Sequence, residues 1–134
     1  MTKREQQIIE KIGESTLIKS AKHRERNQVY IKGFIMHEPS FINNDKQVAF
    51  TISLIHETKK GLSLQCFKCF SMATRVINSL KEMTTVCYVS GFGCLREIYG
   101  DTKPMITGLE VLTKTEYPLA RKETKNVKKE TTTN

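Results

Sequence analysis

The sequence predicts an all-β domain with one inserted helix, a five-stranded Greek-key barrel. A helical extension is expected before it and a basic, disordered tail after it. Three observations carry this reading. Apolar and polar residues alternate from Asn27 onward, one short stretch over 71–82 switches to helical spacing, and β-branched and aromatic residues return over 85–95 and 105–113. Alternation with period two marks a strand with one buried face, and a period near 3.6 marks a helix.

Residues 3–22 open the chain with helical spacing: Glu5, Ile8, Ile9, Ile12, Thr16 and Leu17 fall near one face, and Gly13 weakens the middle. In NQVYIKGFI, Val29, Ile31, Gly33 and Ile35 face one way, and Tyr30, Lys32 and Phe34 the other. Pro39 ends this strand, because proline cannot donate to a ladder. After an expected loop at 41–45, KQVAFTISLI (46–55) makes a second strand, HETKKG (56–61) a hairpin connection and 62–70 a third strand. The third strand has no clean alternation, so its faces stay unassigned. SMATRVINSLKE (71–82) is a helix with Ser71 as expected N-cap and Met72, Val76, Ile77 and Leu80 on one face. Residues 85–95 form a fourth strand, 99–104 supply turn chemistry and MITGLEVLT (105–113) is the last strand. Beyond Pro118 the chain has almost nothing to bury, which predicts disorder. The domain limits that follow are 1–26, 27–113 and 114–134. Three strands, a helix and two strands is the order of a five-stranded OB barrel.

The residues themselves add a resemblance. Asn27-Gln28-Val29-Tyr30-Ile31-Lys32-Gly33-Phe34-Ile35, with Glu38-Pro39-Ser40-Phe41, resembles the opening strand of the bacterial and mitochondrial single-stranded DNA-binding proteins. Ala49-Phe50-Thr51-Ile52-Ser53, the stretch from Phe70 to Leu80 and that from Val86 to Gly91 resemble, in order, that family's second strand, helix entry and fourth strand. The resemblance covers residues 27–113. It implies an OB fold that binds single-stranded DNA without sequence preference, assembles as a dimer or tetramer, and works with replication or recombination proteins. The chain departs from the pattern in having no tryptophan, a leucine (Leu64) where a ring is common, a basic tail in place of an acidic tip, and 26 leading residues without counterpart.

Charge is consistent with a polyanionic partner without naming one. The 134 residues carry +8, but the two ends hold +3 each and residues 27–113 only +2, so the basic balance belongs chiefly to the tails. No apolar run approaches the roughly 18–20 residues that span a bilayer. The charged N-terminus and four cysteines lead to the expectation of a cytoplasmic protein with reduced thiols.

Binding a single strand needs cations for phosphates and flat rings for bases. The candidates are Tyr30, Lys32 and Phe34 on the first strand, Lys68 and Phe70 on the third, Lys59 and Lys60 in the hairpin, and Arg96 and Tyr99 near the last turn. Each has a plainer reading: Phe34 can pack on the N-terminal helix, and Lys59-Lys60 can be a solvated tip. Tyr88 and Phe92, on the outer side, suit an oligomer interface or base stacking. Cys66-Phe67-Lys68-Cys69 resembles a zinc or redox motif only in spacing. In a strand, residues three apart point to opposite faces, and the other cysteines, Cys87 and Cys94, are separated by six residues and do not form a second such pair. His23, His37 and His56 have no triad arrangement, no phosphate-binding glycine loop occurs, and the acids of the core are scattered. No metal, cofactor or catalytic residue is therefore expected, and the chain is not expected to be an enzyme. Two other readings remain open: an OB adaptor that docks a protein through its N-terminal helix, and an RNA-binding OB module.

Overall fold

A computed structural model describes residues 1–13 and 26–121. The elements are α1 (Lys3–Gly13), β1 (Val29–Ile35), β2 (Ser40–Ile42), β3 (Gln47–Thr58), β4 (Gly61–Ser71), α2 (Thr74–Glu82), β5 (Thr85–Ile98) and β6 (Asp101–Pro118). Hydrogen bonding runs β1-β5-β6-β4-β3, and a β1–β3 pairing at Phe34 and Ser53 closes those five strands into a barrel. The short β2 pairs with β3 alone and lies outside the ring.

The alternation in β1 holds: Ile31, Gly33 and Ile35 are buried while Tyr30 and Lys32 are exposed. Inward residues meet as one core of Ile31, Ile35, Val48, Phe50, Ile52, Val89 and Ile106, which α2 caps with Val76, Ile77 and Leu80. Closure depends on Gly33. A Cβ there would sit 2.7 Å from the carbonyl oxygen of Ser53, too close for any side chain. β1 can thus approach β3 while still pairing along its whole length with β5.

Several boundaries differ from those the sequence predicts, each for a local reason. Ser71 is the last residue of β4 and not the N-cap of α2, a place taken by Ala73 with no side-chain hydrogen bond. The Ser71 hydroxyl is buried, donates to the carbonyl of Ile106 and accepts from the amide of Ala73, so it ties β6 to the chain entering α2. Met72 is excluded from the apolar face and is exposed. Part of the expected loop at 41–45 is strand β2, followed by Asn43, Asn44 and Asp45 with φ of 54°, 55° and 63°. Asn and Asp tolerate that left-handed region better than other side chains. The Asp45 carboxylate reaches Lys81 of α2 at 3.0 Å.

The turn expected over 99–104 is only Tyr99 and Gly100, both with positive φ, the pattern of a tight two-residue hairpin. β6 begins at once and continues beyond Thr113 to Pro118, because its second half pairs with the start of β5. The chain then turns back beside β1: Ala120 donates to Met36 at 2.8 Å and accepts from Glu38 at 2.9 Å. Of the expected helix over 3–22, α1 forms the first part. It starts with a capping box in which the Glu5 amide donates to Thr2 Oγ1 and the Thr2 amide to Glu5 Oε1. The expected tail over 114–134 thus starts as strand to Pro118; residues 14–25 and 122–134 lie outside the described residues.

Gly33→Ala should lower stability by about 1–3 kcal/mol, the usual cost of overpacking, because backbone and not a mobile side chain must give way. Urea denaturation against the exposed control Thr107→Ala measures it; equal midpoints would show that the β1–β3 closure does not depend on this approach.

Candidate nucleic-acid interface

β4 is ambiguous in sequence because its two halves have different surroundings. Residues 67–71 alternate against the core, with Cys69 and Ser71 buried, whereas residues 61–66 are all exposed. The same change occurs on β3 at Ile55, so residues 55–66 form an arm projecting from the barrel. Register places Ala49 opposite Phe70, Thr51 opposite Lys68, Ser53 opposite Cys66, Ile55 opposite Leu64 and Glu57 opposite Leu62. Directly paired residues share a face, so these pairs lie along one outer face from barrel to arm, interrupted at Ser53, which is buried where β1 pairs with β3.

At the arm tip Lys59 and Lys60 are exposed, and Thr58 fastens the turn. Its hydroxyl donates to the Gly61 carbonyl at 2.8 Å and accepts from the Lys60 amide at 3.3 Å. Lower on the arm, His56 Nε2 and Gln65 Oε1 are 2.9 Å apart on the opposite face. Residues 55–68 carry Lys59, Lys60 and Lys68 against one acid, Glu57. None of these charges has an ion-pair partner among the described residues.

A second hairpin, β5–β6, projects toward the same end. β4 leaves its turn at Gly61, β6 leaves its turn at Asp101, and the two strands run parallel at Phe70 and Met105. Both tips therefore point away from α2. Arg96 is exposed on this hairpin opposite Lys103, and Tyr99 stands wholly in solvent at its tip. Glu97 and Asp101 balance Arg96 and Lys103, so this hairpin offers a ring more than a net charge. Its base is held by Asn27, whose side chain donates to the Leu95 carbonyl at 2.9 Å and accepts from the Leu95 amide at 2.8 Å.

The candidates thus divide between two faces. Lys59, Lys60, Lys68 and Phe70 share the β3–β4 ladder, with Arg96 and Tyr99 on the neighbouring hairpin. Tyr30, Lys32 and Phe34 lie on the outer face of β1, β5 and β6, opposite Phe92, Ser90 and Tyr88. There Phe34 packs on Tyr88 with ring centroids 4.8 Å apart. Sequence reasoning missed Lys103, which looked like part of a longer turn. It also missed the exposed aliphatic group Ile55, Leu62 and Leu64, whose positions show no periodicity.

Cys66 and Cys69 fall on opposite faces of β4, as their odd spacing predicts. Cys66 is exposed, with its sulfur 3.4 Å from Ser53 Oγ, and Cys69 is buried. Burial pushes the Cys69 thiol up to about 11, partly opposed by a hydrogen bond from the Ile52 backbone. Thiolate is the reactive form, so at neutral pH an aromatic disulfide reagent should modify Cys66 in the native protein and Cys69 only after unfolding. Peptide mapping checks this; equal labelling of both would mean that β4 does not hold this register.

No protein-family model matches the sequence, and no curated protein matches it. Solved structures do. The mitochondrial single-stranded DNA-binding protein of S. cerevisiae superposes with a TM-score of 0.54 at 14% identity, over 69% of this chain and 99% of that one. The single-stranded DNA-binding protein of Plasmodium falciparum, solved in complex with single-stranded DNA, gives 0.51 at 12% identity, over 66% and 96%. A small single-stranded DNA-binding protein from Mycoplasma pneumoniae gives 0.50 at 15%, over 66% and 94%. The chain has the OB fold of these proteins.

Proposed function

We propose that this chain binds single-stranded DNA without sequence preference, as a non-enzymatic coat on strands exposed during replication or recombination. The observation that carries the reading is the outer ladder of β3 and β4. It leads from Phe70 and Lys68 to a projecting arm with Lys59 and Lys60 at its tip, beside a hairpin tipped by a free tyrosine. Strands two and three of an OB barrel and the loop between its last two strands are where such barrels hold oligonucleotides. Here those are β3, β4 and the Tyr99-Gly100 turn. The single-stranded DNA in the Plasmodium neighbour supports the same substrate class.

The parts divide the work. Lys59, Lys60 and Lys68 neutralise phosphates, and each phosphate so neutralised releases counterions, which makes affinity fall with salt. Tyr99 and Phe70 offer rings for bases, and ring stacking accepts any base. Ile55, Leu62 and Leu64 offer aliphatic surface on the same face, which packs against bases and sugars with less geometric demand.

A second reading, docking of a protein through the N-terminal helix, is favoured by the exposed Ile8 and Ile9 of α1. Fluorescence anisotropy of a labelled dT oligonucleotide at two salt concentrations separates the two, with duplex DNA and single-stranded RNA of equal length as competitors. The expected result is salt-sensitive binding to dT well above duplex. Absence of dT binding at low salt would leave the docking reading, and preference for RNA would replace the DNA assignment.

Reversing Lys59 and Lys60 to Glu should weaken dT binding and flatten the slope of log affinity against log salt by about 1.4, two phosphates at roughly 0.7 each. An unchanged slope would remove the arm tip from the track. Tyr99→Ala should weaken binding roughly tenfold if its ring stacks on a base, and an unchanged affinity would return it to a turn residue.

A further inference from the structure

At the closed end of the barrel, α2 and the last two strands leave a cavity of about 190 Å³ between them. Its floor is apolar: Met83 and Cys87 are buried, and Val111 packs on the core. Around the floor stand Thr84, Glu82 on the helix side and Lys114 on β6, opposite Cys87. An apolar cavity of about 150 Å³ holds a molecule the size of benzene, so this one has room for an aliphatic side chain. The last turn of α2 ends at the Glu82 wall, and the C-terminal end of a helix carries partial negative charge. Lys81 in that turn is tied to Asp45 at 3.0 Å. The cavity therefore suits an aliphatic group flanked by cations.

The chain itself carries such a group nearby. The Leu119 amide donates to the carbonyl of Thr84, a lining residue, at 3.3 Å, and Ala120 then pairs with Met36 and Glu38. The polypeptide thus passes the rim of the cavity just before the described residues end at Arg121. Over residues 122–134 Val127 is the only aliphatic residue, set between Lys125 and Lys128-Lys129, with Glu130 close behind. The step from Arg121 to Val127 spans up to about 20 Å when extended. The return from the β1 side of β5 to its β6 side crosses two strand spacings, roughly 10 Å.

We infer that this cavity is the docking site of the chain's own C-terminal segment. Val127 sits on the floor of Met83, Cys87 and Val111, with its flanking lysines toward Glu82 and Glu130 toward Lys114. Tethering makes the event intramolecular, at an effective concentration in the millimolar range for a short flexible linker, so contacts too weak to join separate molecules are enough. Docking holds Lys125, Lys128 and Lys129 at the closed end, on the far side of the barrel from the Lys59-Lys60 tip and from Tyr99. The inference rests on the cavity and on the course of the chain past it, and stands whether or not the nucleic-acid reading does.

Nuclear magnetic resonance of the full, isotopically labelled chain tests it with Val127→Asp, Val127→Ile and Glu82→Lys. The first two leave every residue of the barrel unchanged. The backbone order parameter of Val127 should lie above about 0.6, the bound below which a backbone is flexible, in the wild type and in Val127→Ile. It should fall below that value in Val127→Asp and in Glu82→Lys. Amide shifts of Thr84, Thr85, Val111 and Lys114 should move in Val127→Asp and stay in place in Val127→Ile, with Lys59, Lys60 and Tyr99 unmoved in both. A flexible Val127 in the wild type overturns the proposal, as do lining shifts that are identical in the wild type and Val127→Asp; either result leaves the cavity to a segment of another protein. An order parameter that rises with protein concentration overturns it as well, because the occupant is then the tail of a second copy.

Discussion

The architecture depends on one close approach, that of β1 to β3 at Gly33. With no Cβ at this position the β1 backbone reaches the Ser53 carbonyl, and the five strands become a ring. Closure converts an alternating sheet into an inside and an outside. The inside is a small apolar core, and α2 packs Val76, Ile77 and Leu80 against it. Ser71 then joins the cap to the barrel through a buried hydroxyl that serves both β6 and the entry to α2.

Because the lower end is closed, the open features gather at the other. Two hairpins project there, and they are not equivalent. The β3–β4 arm has three lysines against one glutamate, while the β5–β6 hairpin is charge-balanced and ends in an exposed ring. In the proposed reading the first attracts phosphate and the second offers a surface for a base. A chain without tryptophan can still grip a single strand on these terms, with more of its affinity electrostatic and hence lost with salt.

Sequence revealed most where one residue has one environment. The alternation of β1, the apolar face of α2 and the opposite facing of Cys66 and Cys69 follow from period alone. It revealed least where an element crosses from core to solvent. β4 begins in an arm and ends in the barrel, so no single period describes it. The end of β6 was hidden because residues 114–118 are mostly exposed and polar and pair with the start of β5. Ser71 has the appearance of a helix cap, and only the position of Ile106 shows why it belongs to the strand. Two features were readable in principle. Thr2 and Glu5 have the capping-box spacing, and a glycine two residues before a glutamate on the last strand left room for a ring. Which ring filled it required the register of Phe92 against Gly108.

The central claim is that the proposed single-strand track runs along the β3–β4 arm and past the neighbouring hairpin tip. Backbone amide shifts recorded while a dT oligonucleotide is added to isotopically labelled protein test it most directly. The account predicts perturbations at Lys59, Lys60, Lys68 and around Tyr99, with Tyr30, Lys32, Phe92 and Glu110 unmoved. Perturbations confined to the β1–β5–β6 face, with the arm silent, would contradict it.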